Sequence, residues 1–252
     1  MTIPPTFSDD GERTLKLTVP KGWNELTQEQ LRYVCSIMAR FTPEIAKVRA
    51  LYAFTGLRGR KEEGKYSIRV EGKEHILSID IDRMRSLVSR LEWMMMPGEV
   101  PTRLTRICGR DAVDACLHEV PFQDYLVADN YYQVFIHTRN NDIILRMAEI
   151  LYPGKAEMKL SKGEELSVFL WFAAVKNLFK REFPHLFRSE ETADEFSTRS
   201  MKDAMNAQIR ALTDGDVTKE KEVLALDCWR ALTELNEKAR EAKELKKAYK
   251  HG

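Results

Sequence analysis

Between Glu164 and Phe183 the chain carries Val168, Leu170, Trp171, Phe172, Val175, Leu178 and Phe179, and on a helix these side chains occupy more than one side. A helix that is apolar on several sides is stable in water only when other elements enclose it, so this segment is expected to be the central core element. Its longest unbroken apolar run, Val168 to Val175, is eight residues and ends at Lys176; a membrane-spanning helix needs about 20. The enclosing elements must therefore come from the chain itself, and the sequence supplies them as further helical stripes. Leu31, Val34, Cys35, Met38 and Phe41 form one; Ile45, Val48, Leu51 and Tyr52 a second; Ile81, Met84, Leu87, Val88, Leu91 and Met95 a third. Phe122 to Arg139 and Asp142 to Leu151 read as two more helices, the latter stopped by Tyr152-Pro153-Gly154. The predicted fold class is mainly α, a multi-helix globular domain with a small β element and a C-terminal amphipathic helical segment.

The helix starts are set by local chemistry. Thr27 with Gln30 three residues later is a capping box, flanked by Leu26 and Leu31 as a hydrophobic staple. Thr42-Pro43-Glu44 starts the next helix, since Thr caps, Pro is tolerated at the first helical position and Glu suits the positive end of the dipole. Leu15, Leu17 and Val19 alternate as a strand does until Pro20. Tyr66 to Val70 and His75 to Ile79 alternate about Glu71-Gly72 as a hairpin, which two or three strands can sustain only against helices. Residues 1–12, with two prolines and no apolar period, read as a flexible tail. Residues 13–187 form the expected main domain, 188–199 a polar linker, and 200–252 a C-terminal helical interaction segment built around the Asp214-Gly215-Asp216 turn.

Chemical templates fail one after another. The chain of 252 residues holds 40 Lys plus Arg against 39 Asp plus Glu, a net charge of +1, so any polyanion partner must be met by a local patch. No two of His75, His118, His137, His185 and His251 have the close spacing of ligands, and Cys108, Cys116 and His118 fit no zinc pattern. Asp80-x-Asp82 suits a cation, but an Asp before a helix more often caps it. There is no nucleophile elbow, and Gly56 to Lys61 has neither phosphate-loop spacing. No catalytic residue, cofactor or metal is expected. The N-terminal Met1-Thr2-Ile3-Pro4-Pro5 lacks the basic and apolar regions of a signal peptide, so the chain is expected in the cytosol with its four cysteines reduced.

Three stretches suit binding. Arg58, Arg60, Lys61 and Arg69 form a basic loop and hairpin able to meet phosphates, although Glu62, Glu63, Glu71 and Glu74 lie among them. Phe122, Tyr125, Tyr131, Tyr132 and Phe135 are spaced for a helix and are expected in the core. Leu224, Cys228, Ala231, Leu232, Leu235, Ala239 and Ala242 make a narrow, alanine-rich stripe bordered by charges, as in a seam against one helix, either of this chain or of another subunit.

Two segments carry a resemblance. Val19-Pro20-Lys21-Gly22-Trp23-Asn24-Glu25-Leu26-Thr27 through Leu31, and Met205 through Lys219 followed by Trp229-Arg230-Ala231-Leu232-Thr233-Glu234-Leu235-Asn236, resemble the ends of uncharacterised structural-module proteins of tailed bacteriophages and prophages of Bacteroidetes. The resemblance implies a non-enzymatic protein of virion tail or neck assembly, located in the bacterial host cytoplasm or the virion, with phage structural proteins or a second copy as partners. On that reading Trp229, Leu232, Leu235 and Ala239 are the partner-binding residues, with Trp23, Leu26 and Leu31 fixing the N-terminal fold. A nucleic-acid-binding accessory role through Arg58, Arg60, Lys61 and Arg69 is the alternative expectation.

Overall fold

The structure, a computed structural model, describes residues 6–8, 14–70, 72–187 and 198–251. It is mainly α, with nine α-helices among the described residues and three small antiparallel sheets. Two compact units divide the chain, residues 1–98 with 161–167 and residues 99–160 with 168–252. That division differs from the expected one: the last 50 or so residues are not set apart but share a unit with the aromatic helices. Of the expected linker, residues 188–197 lie outside the described residues and Thr198 and Arg199 already belong to a helix.

In the first unit, strand β1 (Thr6–Ser8) pairs antiparallel with β2 (Thr14–Lys16), setting Phe7 opposite Leu15. The expected flexible tail thus contains a strand, whose partner takes in Leu15 of the expected alternating strand but stops before Leu17 and Val19. Helix α1 (Gln28–Met38) starts on the expected capping box: the Thr27 hydroxyl accepts from the Gln30 N–H at 3.2 Å, and the Gln30 side chain accepts from the Thr27 N–H at 2.9 Å. Such a cap contributes about 1 kcal/mol. Helix α2 (Pro43–Thr55) has Pro43 at its first turn, but Thr42 at the cap position makes no side-chain capping bond; the helix ends at Gly56, whose φ of 74° places it in the left-handed region.

The face that α2 buries matches the expected one only at Leu51. Ala46, Ala50, Leu51 and Phe54 are fully covered, while Ile45 is 46% exposed and Val48 and Tyr52 are half-buried. The inward face combines two alanines that permit close approach with a lysine, Lys47, whose ammonium reaches Glu92 at 2.6 Å. A charge at that position hides the face from an apolar count.

Strands β3 (Arg58–Gly59), β4 (Lys65–Val70) and β5 (Lys73–Ser78) form an antiparallel sheet in that order. The hairpin is the expected one, turned at Gly72 with φ of 80°, and Leu57, Ile68, Val70 and Ile79 make its core. Helix α3 (Ile81–Ser89) is capped by Asp80, which accepts from the Arg83 N–H at 2.7 Å; capping is what that carboxylate does.

Trp23, expected to fix this region, does so with a partner that the sequence does not single out. Its ring meets Trp93 edge-on at 5.2 Å. The indole N–H of Trp23 donates to the Met96 carbonyl and that of Trp93 to the Pro20 carbonyl, each at 2.9 Å. The reciprocal bonds tie residues 20–23 to residues 93–96. Gly163 lies against α1 so closely that a Cβ there would come within 2.9 Å of the Ser36 backbone.

The second unit begins with a minimal hairpin, β6 (Arg106–Ile107) and β7 (Arg110–Asp111), turned through Cys108 and Gly109 with φ of 49° and 76°. Helices α4 (Phe122–Thr138) and α5 (Asn141–Leu151) follow. Helix α6 (Lys162–Glu182) gives its first residues to the first unit and the remainder to the second. As expected, Val168, Trp171, Phe172, Val175 and Phe179 of that remainder are fully buried. Helices α7 (Thr198–Thr213), α8 (Glu220–Leu224) and α9 (Cys228–His251) complete the chain. The aromatic stretch of α4 divides. Phe122 and Tyr125 are core, whereas Tyr131, Tyr132 and Phe135 are half-buried, with Tyr132 and Phe135 each 5.4 Å from the Phe169 ring. Lys176 of α6 reaches Asp129 of α4 at 2.8 Å, a largely enclosed ion pair that fixes the register of those two helices.

Candidate functional site

Where the sequence is least patterned, between Asp114 and Pro121, the second unit is most tightly tied. Asp114 accepts from the backbone N–H groups of Cys116 and His118 at 2.9 and 3.1 Å. Burial pushes its carboxyl up, but those two N–H groups, with the charges of His118 and Arg103, outweigh it and hold the group below the usual carboxylate range. Leu117 and Glu119 adopt left-handed backbone with φ of 64° and 61°, a conformation that costs a non-glycine residue about 1 kcal/mol or more. Bonds from distant residues offset that cost. The Trp171 indole donates to the Ala115 carbonyl and the Trp229 indole to the Cys116 carbonyl, each at 2.7 Å, and the Cys228 thiol donates to the Leu117 carbonyl at 3.1 Å.

Helix α9 is rooted in this loop. Asp227 uses one carboxylate oxygen to cap α9 through the Arg230 N–H and the other to accept from the Glu119 N–H at 2.6 Å. The Cys228 N–H donates to the Val120 carbonyl at 2.8 Å, and the Phe122 N–H to the Leu226 carbonyl at 2.7 Å. Two turns along, the Asn236 side chain accepts from the N–H groups of His185 and Leu186, and Lys238 pairs with Asp214.

Of the two alternatives for the seam, the leucines are covered by this chain. Leu232 is 0% and Leu235 3% exposed, both inside the second unit. Trp229 is half-buried, stacked on His118 at 4.6 Å and edge-on to Phe179 and Phe183. Ala239 is half-buried at the edge. Leu224 leaves the stripe altogether, because it belongs to α8 and Asp227 starts a new helix. Of the expected partner-facing residues, the leucines are core; the helix becomes available only beyond them. From Glu241 to Tyr249 every residue except Lys243 is exposed, with Leu245 at 60% and Tyr249 at 86%. Arg240 braces this stretch through Glu237 at 2.9 Å and Glu244 at 3.0 Å. Sequence reasoning missed Asp227, although an Asp three residues before Arg230 at a helix start was the available sign.

The expected basic patch lies in the first unit. Arg58, Arg60, Lys61 and Arg69 are all exposed. Arg58 lies opposite Ser67, and Arg69 is two residues along the same strand, so both share one face of the sheet. Glu74 stands opposite Arg69 and pairs with Arg60 at 3.6 Å, so a carboxylate sits among the cations.

Three of the four cysteines, Cys35, Cys116 and Cys228, are held in the thiol form. A reactive cysteine needs its thiolate, and burial pushes Cys35 and Cys228 up to about 12, with Asp227 and Asp114 adding to the effect at Cys228. Burial and the Asp114 charge also raise Cys116. Thiol labelling of the folded protein is therefore expected to modify exposed Cys108 and to spare Cys35 and Cys228 until unfolding. Native-state labelling of Cys228 at the rate of Cys108 would mean that the root of α9 opens. Among the described residues no three His, Cys, Asp or Glu side chains come together to hold a metal ion, and no helix is long and apolar enough to cross a membrane. No protein-family model, curated protein or solved structure matches this chain.

Proposed function

We propose that the chain is a non-enzymatic protein of a tailed bacteriophage or prophage that serves tail or neck assembly through protein–protein contacts, in the host cytoplasm and in the virion. The observation that supports this reading best is the division of α9 into a root fixed in the core and an exposed end carrying Leu245 and Tyr249. An exposed helix held at its root is already ordered, so a partner that docks on it loses little conformational entropy. At the helical 100° per residue, Lys243, Lys246 and Lys247 fall on one side of this end, and Glu237, Glu241 and Glu244 on the other. A partner that reads both sides is held in one orientation.

Deleting residues 241–252 tests the reading without disturbing the fold. The shortened chain is expected to melt as the full chain does, because among the described residues removed, Glu241 to Tyr249, none is part of the core. In a lysogen that carries the gene, the same deletion should give DNA replication without complete tailed particles on induction. Normal particle yield with the deletion, observed by electron microscopy, would overturn the assembly role of this helix.

A further inference from the structure

The outer strand of the three-stranded sheet, β5, presents an edge whose hydrogen-bonding phase is fixed at one end by two bonds. The Lys65 carbonyl accepts from the Arg60 N–H at 3.1 Å, so the backbone groups of Lys65 face β3, and Ser78, its partner across the ladder, faces away from β4. One residue on, the Ile79 N–H donates inward to the Gly64 carbonyl at 2.9 Å. The two-residue period of a strand then puts the N–H and C=O groups of Glu74, Ile76 and Ser78 on the outer edge. Among the described residues no strand pairs with that edge.

Natural edge strands are blunted by proline, by a bulge, by central charge or by being very short. β5 runs six residues in unbroken register with no proline, and Ile76 near its middle is 60% exposed. Its one lysine, Lys73, lies at the turn.

We propose that two copies of this chain pair through β5, antiparallel about a two-fold axis at Ile76, joining two three-stranded sheets into one. The edge is self-complementary in that register, which uses more of its outward backbone groups than an axis at His75 or Leu77 would. Ile76 meets Ile76 of the second copy as a hydrogen-bonded pair, and Glu74 meets Ser78 of the second copy on either side, which uses every outward backbone group in about six bonds. Each Glu74 also enters the same cross-strand row as Lys65 of the second copy, and no like charges stand opposite one another. Moving the axis to Glu74 would oppose two carboxylates, and moving it to Ser78 would run each strand past the other's end. The contact is isologous and closes at two copies. One strand pair buries less than the roughly 1,000 Å² of stable interfaces, so the dimer is weak and appears as concentration rises.

Sedimentation equilibrium of the full chain, taken over two decades of concentration, is expected to show the average mass climbing from one chain of 29.2 kDa towards twice that. Ile76→Pro removes only an outward N–H and keeps the β4–β5 ladder; it should hold the protein at one chain mass. Ile76→Lys and Ile76→Glu, at an exposed side chain, should each do the same, and mixing the two should restore a dimer at low salt. Deleting residues 241–252 should leave dimerisation unchanged, which separates this contact from the assembly role of α9. A wild-type chain that stays at one mass would overturn the proposal and leave the edge to a strand of another protein. Dimerisation of Ile76→Lys alone, or a mixture that fails to associate, would overturn it as well.

Discussion

Replacing Leu232 by alanine is expected to destabilise the second unit by about 2–5 kcal/mol, the cost of losing a buried leucine and leaving a cavity. Leu232 is 0% exposed and lies between Ala231 and Leu235 on the covered face of α9. Leu232→Lys should do more, because an ammonium with no partner cannot be accommodated there. Removing residues 200–252 should leave the second unit unfolded for the same reason. Two tryptophans lie in each unit, Trp23 and Trp93 in the first and Trp171 and Trp229 in the second. Tryptophan fluorescence during urea unfolding, with near-ultraviolet circular dichroism, reads the loss. If Leu232→Lys melts like the unmodified chain and loses only association, the leucine stripe is an intermolecular seam and the placement of α9 is wrong.

The second large effect is expected at Trp171, which is 1% exposed and meets Tyr152 edge-on at 5.8 Å. Trp171→Ala should cost about 3–5 kcal/mol. Trp171→Phe separates two contributions, since it keeps most of the apolar surface but strips the donor from the Ala115 carbonyl. The Ala115 carbonyl is only partly buried, so losing this bond costs about 0.5–1.5 kcal/mol, and the phenylalanine variant should fall between the parent and the alanine variant. Equal stability of Trp171→Phe and the parent would show that the bond from Trp171 does not hold the loop.

Helix positions were legible because their signals are local. The Thr27–Gln30 box, Pro43 at a first turn, Asp80 before α3 and Gly72 between two alternating strands all act within a few residues, and each is found where the sequence places it. The most apolar helix was equally legible, since a segment apolar on several sides has nowhere to go but the interior. The loop at 114–121 was not. Its order comes from Trp171, Asp227, Cys228 and Trp229, which are 56 to 113 residues away and act on its backbone carbonyls and N–H groups. Backbone groups are the same in every sequence, so no residue pattern within the loop announces that they will be used.

The candidate interaction sites divide in the same way. That Arg58, Arg60, Lys61 and Arg69 stay in solvent follows from their charge, but the position of Glu74 among them follows from strand register. On α2 the sequence shows one apolar stripe, Ile45, Val48, Leu51 and Tyr52, and the fold covers only Leu51 of it together with Ala46, Ala50 and Phe54, because the alanines let a neighbour approach and Glu92 neutralises Lys47. By itself the sequence determined that the chain is helical, where most helices begin, and which helix is buried on several sides. Only the tertiary structure decided what covers each amphipathic face. A narrow, alanine-rich stripe such as that of α9 buries its leucines equally well against its own chain or another, and the choice rests on bonds to Asp227, Trp229 and Asn236 made by residues far away in sequence.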